Sequence, residues 1–188
     1  MNCAMKNKYL NIHQDLIDKC KRNNRNAQFQ IYKLYFSALF NTCFRIVNDK
    51  EQAEDIMQEA FLSAFEKISS YQENVSFGAW LKRIVVNKSI DYVRKQKNEF
   101  ETYDEEIYTI KDNEDFEITD FKKEELIKSL NNALLQLPYK YRIVFSLYYL
   151  EGYDHEEIAE INGITASTSR SQLTRAKQKI VTLLHYKT

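Results

Sequence analysis

Apolar residues recur every three or four positions over long stretches of this chain, the spacing of helices that each bury one face. From Phe29 to Val47 the apolar positions Ile31, Tyr32, Leu34, Tyr35, Phe36, Leu39, Phe40, Cys43 and Phe44 fill more than one stripe, which predicts a central helix packed on several sides. Asp49 with Gln52 three residues on predicts an N-cap and a capping-box partner for the next helix. There Ala53, Ile56, Met57, Ala60, Phe61, Ala64, Phe65 and Ile68 keep a strict three-four rhythm. Its other face carries Glu51, Glu54, Asp55, Gln58 and Glu59, a run that by itself is ordinary solvated charge. After a polar loop, Ser69 to Ser76, a third strong helix is marked by Phe77, Trp80, Leu81, Ile84, Val85 and Val93. Its opposite side bears Lys82, Arg83, Lys88, Arg94 and Lys95 and could lie on phosphates.

The C-terminal part repeats the helical rhythm with sharper punctuation. Leu126, Ile127, Leu130, Leu134 and Leu137 mark an amphipathic helix, and Pro138 suits the first position of the next one, which Gly152 ends. Asp154 with Glu157 predicts a second capping box, opening a short helix through Ile158 and Ile161. An Asn162-Gly163 turn follows, then a helix with Thr165 as N-cap that carries Arg170, Arg175, Lys177 and Lys179. Short helix, glycine turn and longer basic helix form a helix-turn-helix pattern, although such hairpins also occur in proteins that never touch DNA.

Composition narrows the fold class. With only three glycines and one proline in 188 residues, the chain lacks the turn chemistry that a many-stranded sheet needs at its corners. An all-α protein of two small helical domains is expected. No apolar run approaches the roughly 20 residues that span a bilayer, and the start is polar, so a cytoplasmic location is expected. Cys3, Cys20 and Cys43 show no CxxC spacing and lie far in sequence from His13, His155 and His185, which suggests neither a disulfide framework nor a metal site.

Formal net charge is zero, yet the charges are segregated. Residues 98–125 carry twelve acids against Lys111, Lys122 and Lys123, whereas residues 1–97 hold sixteen bases to ten acids and residues 126–188 eight to five. Two basic bodies, 1–97 and 126–188, are therefore expected on either side of an acidic linker, 98–125. Basic modules suit phosphate backbones, while an acidic segment taken alone is most simply a solvated tether. Its sign also allows it to lie on the basic helices in the free protein and to lower their affinity for DNA.

Taken together, these stretches resemble the extracytoplasmic-function branch of the sigma-70 family of RNA polymerase sigma factors. Leu16 to Phe40 resembles the opening helices of the family's second region. DIMQEAFLSAF, Asp55 to Phe65, is similar to the segment with which such factors grip the clamp helices of the polymerase's largest subunit. FGAWLKRIVVNKSIDYVRK, Phe77 to Lys95, looks like the helix that meets the minus-ten element, with Trp80, Arg83, Asn87, Asp91 and Arg94 in the family's places. Leu134 to Ile180 is similar to the fourth region, which reads the minus-thirty-five element. Departures are also visible. Val86 and Gly78 stand where many relatives hold arginine, the loop Tyr71 to Val75 has no family glycine, and the recognition helix lacks the usual glutamate and glycine near its start.

The resemblance implies core RNA polymerase, promoter DNA and an anti-sigma factor as partners, with no cofactor, no metal and no membrane. It implies polymerase binding by Asp55, Gln58, Glu59 and Phe61, and a minus-ten surface of Lys82, Arg83, Asn87, Asp91 and Arg94. The loop Ser69 to Phe77 would hold an extruded base, while Trp80 and Phe77 pack the core. Thr165, Ser167, Thr168, Ser169, Arg170, Ser171, Arg175 and Lys177 would meet the minus-thirty-five element. Arg170 is the first choice for guanine, because a guanidinium pairs two acceptors at once. The competing expectations are a stand-alone helix-turn-helix regulator that binds duplex DNA without polymerase, and an all-helical adaptor for acidic partners. An enzyme is not expected: no nucleophile has a nearby base, and no glycine-rich phosphate loop or metal-ligand spacing occurs.

Overall fold

A computed structural model describes residues 11–98 and 120–185, and every regular element among them is helical. Most of the acidic linker, residues 99–119, and Cys3 lie outside the described residues. The chain divides into two compact units, Met1–Tyr92 and Val93–Thr188.

The first unit contains α1 (Gln14–Lys21), α2 (Arg25–Val47), α3 (Lys50–Lys67), a short 3-10 turn (Ile68–Ser70) and most of α4 (Phe77–Asn98). α2 starts four residues before the first apolar position of its stripe, because Asn24 caps it, its side chain accepting from the Ala27 N–H at 3.0 Å. It ends on Asn48 in the left-handed region, φ 62°. Asp49 then caps α3 by accepting from the Gln52 N–H at 3.0 Å. Ile31, Leu39, Cys43 and Ile46 of α2 are buried with Ala53, Met57, Phe61 and Ala64 of α3 and Phe77, Leu81, Val85 and Ile90 of α4. The two buried thiols serve as small apolar fillers. Burial pushes the Cys20 thiol up to about 11, and it does the same to Cys43 against an opposing hydrogen bond from Ser89 at 3.2 Å.

The second unit contains α5 (Asp120–Gln136), α6 (Tyr139–Phe145), α7 (His155–Asn162) and α8 (Ala166–His185). Its core joins Leu134 and Leu137 to Ala176 and Ile180, flanked by Leu130, Tyr141, Phe145, Leu183 and Leu184. Pro138 sits one position earlier than its sequence suggested. Its ψ of 141° is not helical, and its carbonyl accepts the first bonds of α6 from the N–H groups of Tyr141 and Arg142, which makes it the N-cap. Arg142 is buried and donates to the Leu137 carbonyl at 2.9 Å, closing the end of α5, and burial lowers its pKa. α6 runs on as a π-helical turn, Ser146–Leu150, before Gly152 leaves the helix at φ 79°.

Candidate nucleic-acid interface

α4 presents Arg83, Asn87 and Asp91 at a four-residue spacing on its exposed face, with Lys82 and Arg94 half-buried beside them. The opposite face is core. Val86 is fully buried, and a side chain at Gly78 would press on the Tyr35 ring at 3.1 Å. The departures from arginine at these two positions are therefore adjustments of packing as much as of surface charge. Phe77 is fully buried, as expected, while Trp80 is half-buried and tilts against Tyr71 and Phe77 at 5.3 and 5.4 Å between ring centroids.

The loop leading into α4 is held from beneath and open above. Tyr71 and Glu73 are buried, and Gln72, Asn74 and Val75 are exposed. Tyr71 donates its hydroxyl to the Val75 carbonyl at 2.6 Å, which closes the loop on itself.

On α3 the expected face separates into two parts. Asp55, Gln58 and Glu59 are exposed, and Glu59 pairs loosely with Lys88 of α4 at 3.3 Å. Phe61 does not join them. It is 2% exposed and meets Tyr32 edge-on at 4.9 Å, because a rise of 3.6 residues per turn puts it on the side of Met57 and Ala64. The apolar residue on the outer face is Leu62, 64% exposed, three residues after Glu59 and four after Gln58.

The helix-turn-helix of the second unit is built by its caps. Asp154 accepts from the Glu157 N–H at 2.8 Å while the Glu157 carboxylate accepts from the Asp154 N–H at 3.0 Å. Gly163, φ 61°, ends α7 with two bonds, its own N–H to Glu160 and that of Ile164 to Ala159, the pair that closes a Schellman turn. Thr165 then accepts from the Thr168 N–H at 3.0 Å and so starts α8. Thr165, Ser167, Thr168, Arg170, Ser171, Arg175 and Lys177 are exposed, and Thr174 joins them between Arg170 and Arg175. Arg170 leans towards Glu156 of α7 at 3.6 Å. Lys177 lies over the Tyr149 ring at 5.4 Å. Ser169 is the exception among the expected residues. It is fully buried and its Oγ bonds His155 Nδ1 at 2.9 Å, so it ties α8 to α7 and faces away from any groove.

The described residues hold no cluster of His, Cys, Asp or Glu arranged for a metal and no helix long and apolar enough to cross a membrane. Residues 31–99 match the family model for sigma-70 region 2, and residues 127–180 match that for sigma-70 region 4. The ECF RNA polymerase sigma factor SigW of Bacillus subtilis is 30% identical over 176 residues, covering 87% of this chain and 92% of its own. SigM of the same organism is 31% identical over 82% of this chain and 93% of its own. The chain belongs to the extracytoplasmic-function sigma factor family. Its fold is also that of two solved chains: CnrH in complex with the cytosolic domain of CnrY (TM-score 0.56, 21% identity, 93% of this chain and 98% of that one) and the sigma factor RpoE of Bartonella quintana in complex with the anti-sigma factor NepR (TM-score 0.56, 23% identity, 83% and 95%).

Two exposed side chains on these faces, Leu62 and Thr174, are absent from the sequence-based assignment. The signal for Leu62 is its place three and four residues after Glu59 and Gln58, outside the buried three-four rhythm of α3. Thr174 carried none beyond its position between two arginines.

Proposed function

We propose that this chain is a specificity subunit of RNA polymerase that docks through α3, captures the minus-ten element on α4 and the preceding loop, and reads the minus-thirty-five element with α8. It performs no covalent chemistry, and the charge pattern supports functional domains at 1–97 and 126–188 joined by the acidic stretch 98–125. The carrying observation is that α3 and α4 expose separate polar faces on one compact unit: Asp55, Gln58, Glu59 and Leu62 on one helix, Arg83, Asn87 and Asp91 on the other. Polymerase and DNA can then be held at once. The minus-thirty-five surface comprises Thr165, Ser167, Thr168, Arg170 and Ser171 towards bases and Arg175 and Lys177 towards phosphates.

Energetics supports a shared task. Opening on the order of ten base pairs at ~1.4 kcal/mol per step requires roughly 14 kcal/mol. Stacking one or two extruded bases returns ~1–3 kcal/mol each, so polymerase supplies most of the remainder. An anti-sigma partner is supported by the solved relative RpoE, which was captured with one.

The test is reconstitution with core polymerase and run-off transcription on a library of genomic fragments, with permanganate footprinting of unpaired thymines. Start-site-specific transcripts and opened DNA that need both components are expected. Specific duplex binding without polymerase, or strand separation by the chain alone, would overturn the proposal.

A further inference from the structure

We propose that α1 sets the shape of the loop Tyr71–Ser76, with Lys21 as a positioning residue that holds Glu73 in a backbone conformation otherwise suited to glycine. This deepens the function proposed above and rests on that loop as the pocket for an extruded base.

Three residues other than glycine have positive φ among the described residues: Asn23, Asn48 and Glu73. Asparagine tolerates this region through local hydrogen bonds, whereas a glutamate there, φ 61°, must be compelled by its surroundings. The compulsion is visible. The Glu73 side chain is 4% exposed, and its Oε1 accepts from Lys21 Nζ at 2.7 Å and from Gln14 Nε2 at 3.2 Å. The same ammonium lies 5.7 Å from the centre of the Tyr71 ring.

Asn11, just ahead of α1, secures both ends of the loop. Its Nδ2 donates to the Tyr71 hydroxyl at 3.1 Å and its Oδ1 accepts from the Phe77 N–H at 2.7 Å, which caps α4 from 66 residues away. With Tyr71, Glu73 and Phe77 thus fixed from the α1 side, Gln72, Asn74 and Val75 are the side chains left to meet a base. Lys21 also neutralises inside the protein a carboxylate that would otherwise repel an approaching DNA strand.

The contact therefore replaces a glycine by an ion pair, and this makes a distinctive prediction about how substitutions combine. Glu73→Ala keeps a Cβ in the left-handed region and loses the anchor. Glu73→Gly loses the anchor but needs none. Lys21→Met strands the buried Glu73 carboxylate in the parent chain, and strands nothing when Glu73→Gly is also present.

The experiment uses reconstituted holoenzyme and a fluorescein-labelled non-template oligonucleotide from a promoter it opens, either intact or with one abasic site at the captured position. Lys21→Met and Glu73→Ala should each weaken binding of the intact strand roughly tenfold and abolish its advantage over the abasic strand, with duplex minus-thirty-five binding unchanged. Glu73→Gly and the Lys21→Met/Glu73→Gly double variant should both stay within about threefold of the parent. Equal damage from Glu73→Gly and Glu73→Ala, or a Lys21→Met effect that persists in the Glu73→Gly background, would overturn the inference. Parent holoenzyme that does not distinguish the intact from the abasic strand at any position would instead overturn the pocket on which it rests.

Discussion

Adjacent residues on α3, Phe61 and Leu62, should separate folding from polymerase binding. Phe61 is 2% exposed and its ring meets Tyr32 and Phe65, so Phe61→Ala removes a large buried aromatic from a core built with α2. Such truncations cost about 3–5 kcal/mol. For a unit of this size each kcal/mol moves the midpoint by ~4–8 °C, and 3 kcal/mol gives a fall of roughly 12–24 °C. Leu62 is 64% exposed. Full burial of a leucine is worth ~1.5–3 kcal/mol, so covering the exposed part against polymerase contributes about 1–2 kcal/mol. That corresponds to roughly 5- to 25-fold in affinity. Leu62→Ala should therefore leave thermal unfolding within ~0.5 kcal/mol of the parent while weakening holoenzyme assembly by that factor. Calorimetry and a fluorescence titration of labelled chain with core polymerase measure the two quantities. Reasoning from the exposed stripe fails if Leu62→Ala assembles with parental affinity, and the core placement fails if Phe61→Ala melts like the parent.

Three further outcomes follow from the same geometry. Ser169→Ala should lower the stability of the second unit by about 1 kcal/mol, through the lost bond to His155, and leave base preference in a binding-site selection unchanged; a shifted preference would contradict its burial. Arg170→Ala should barely alter stability, since its ion pair with Glu156 is exposed, but should cost ~1–3 kcal/mol in DNA binding with discrimination lost at one base position. A uniform loss across sequences would make it a phosphate contact. The thiols of Cys20 and Cys43 ionise near 11 in the fold against an ordinary 9.0, so their neutral form is favoured by burial and no penalty exists below pH 9. Above pH 9 the unfolded chain ionises first and stability falls until about pH 11. Urea midpoints at pH 8.5 and 10.5 should drop more for the parent than for a Cys20→Ala/Cys43→Ala variant, and parallel drops would refute the assignment.

What was legible in the sequence was local. The caps at Asp49, at Asp154 with Glu157, at Gly163 and at Thr165 could be placed because each acts on a backbone group within a few residues. Helical periodicity likewise located α2, α3, α4 and α5, since apolar spacing reports which face is buried. The acidic segment and its basic flanks were a matter of counting.

Tertiary structure decided what depends on partners distant along the chain. Helical spacing already puts Phe61 on the buried side of α3 and Leu62 off it, but only the packed structure brings Tyr32 of α2 against the Phe61 ring and leaves Leu62 64% exposed. Ser169 looked like its exposed neighbours Thr168 and Arg170 until His155 of another helix claimed its hydroxyl. The left-handed turn at Glu73 has no local cause, because the lysine that holds it lies 52 residues earlier. A cap is a bargain between residues a turn apart and is written in their order, whereas burial and ion pairing are settled by whichever elements the chain brings against them.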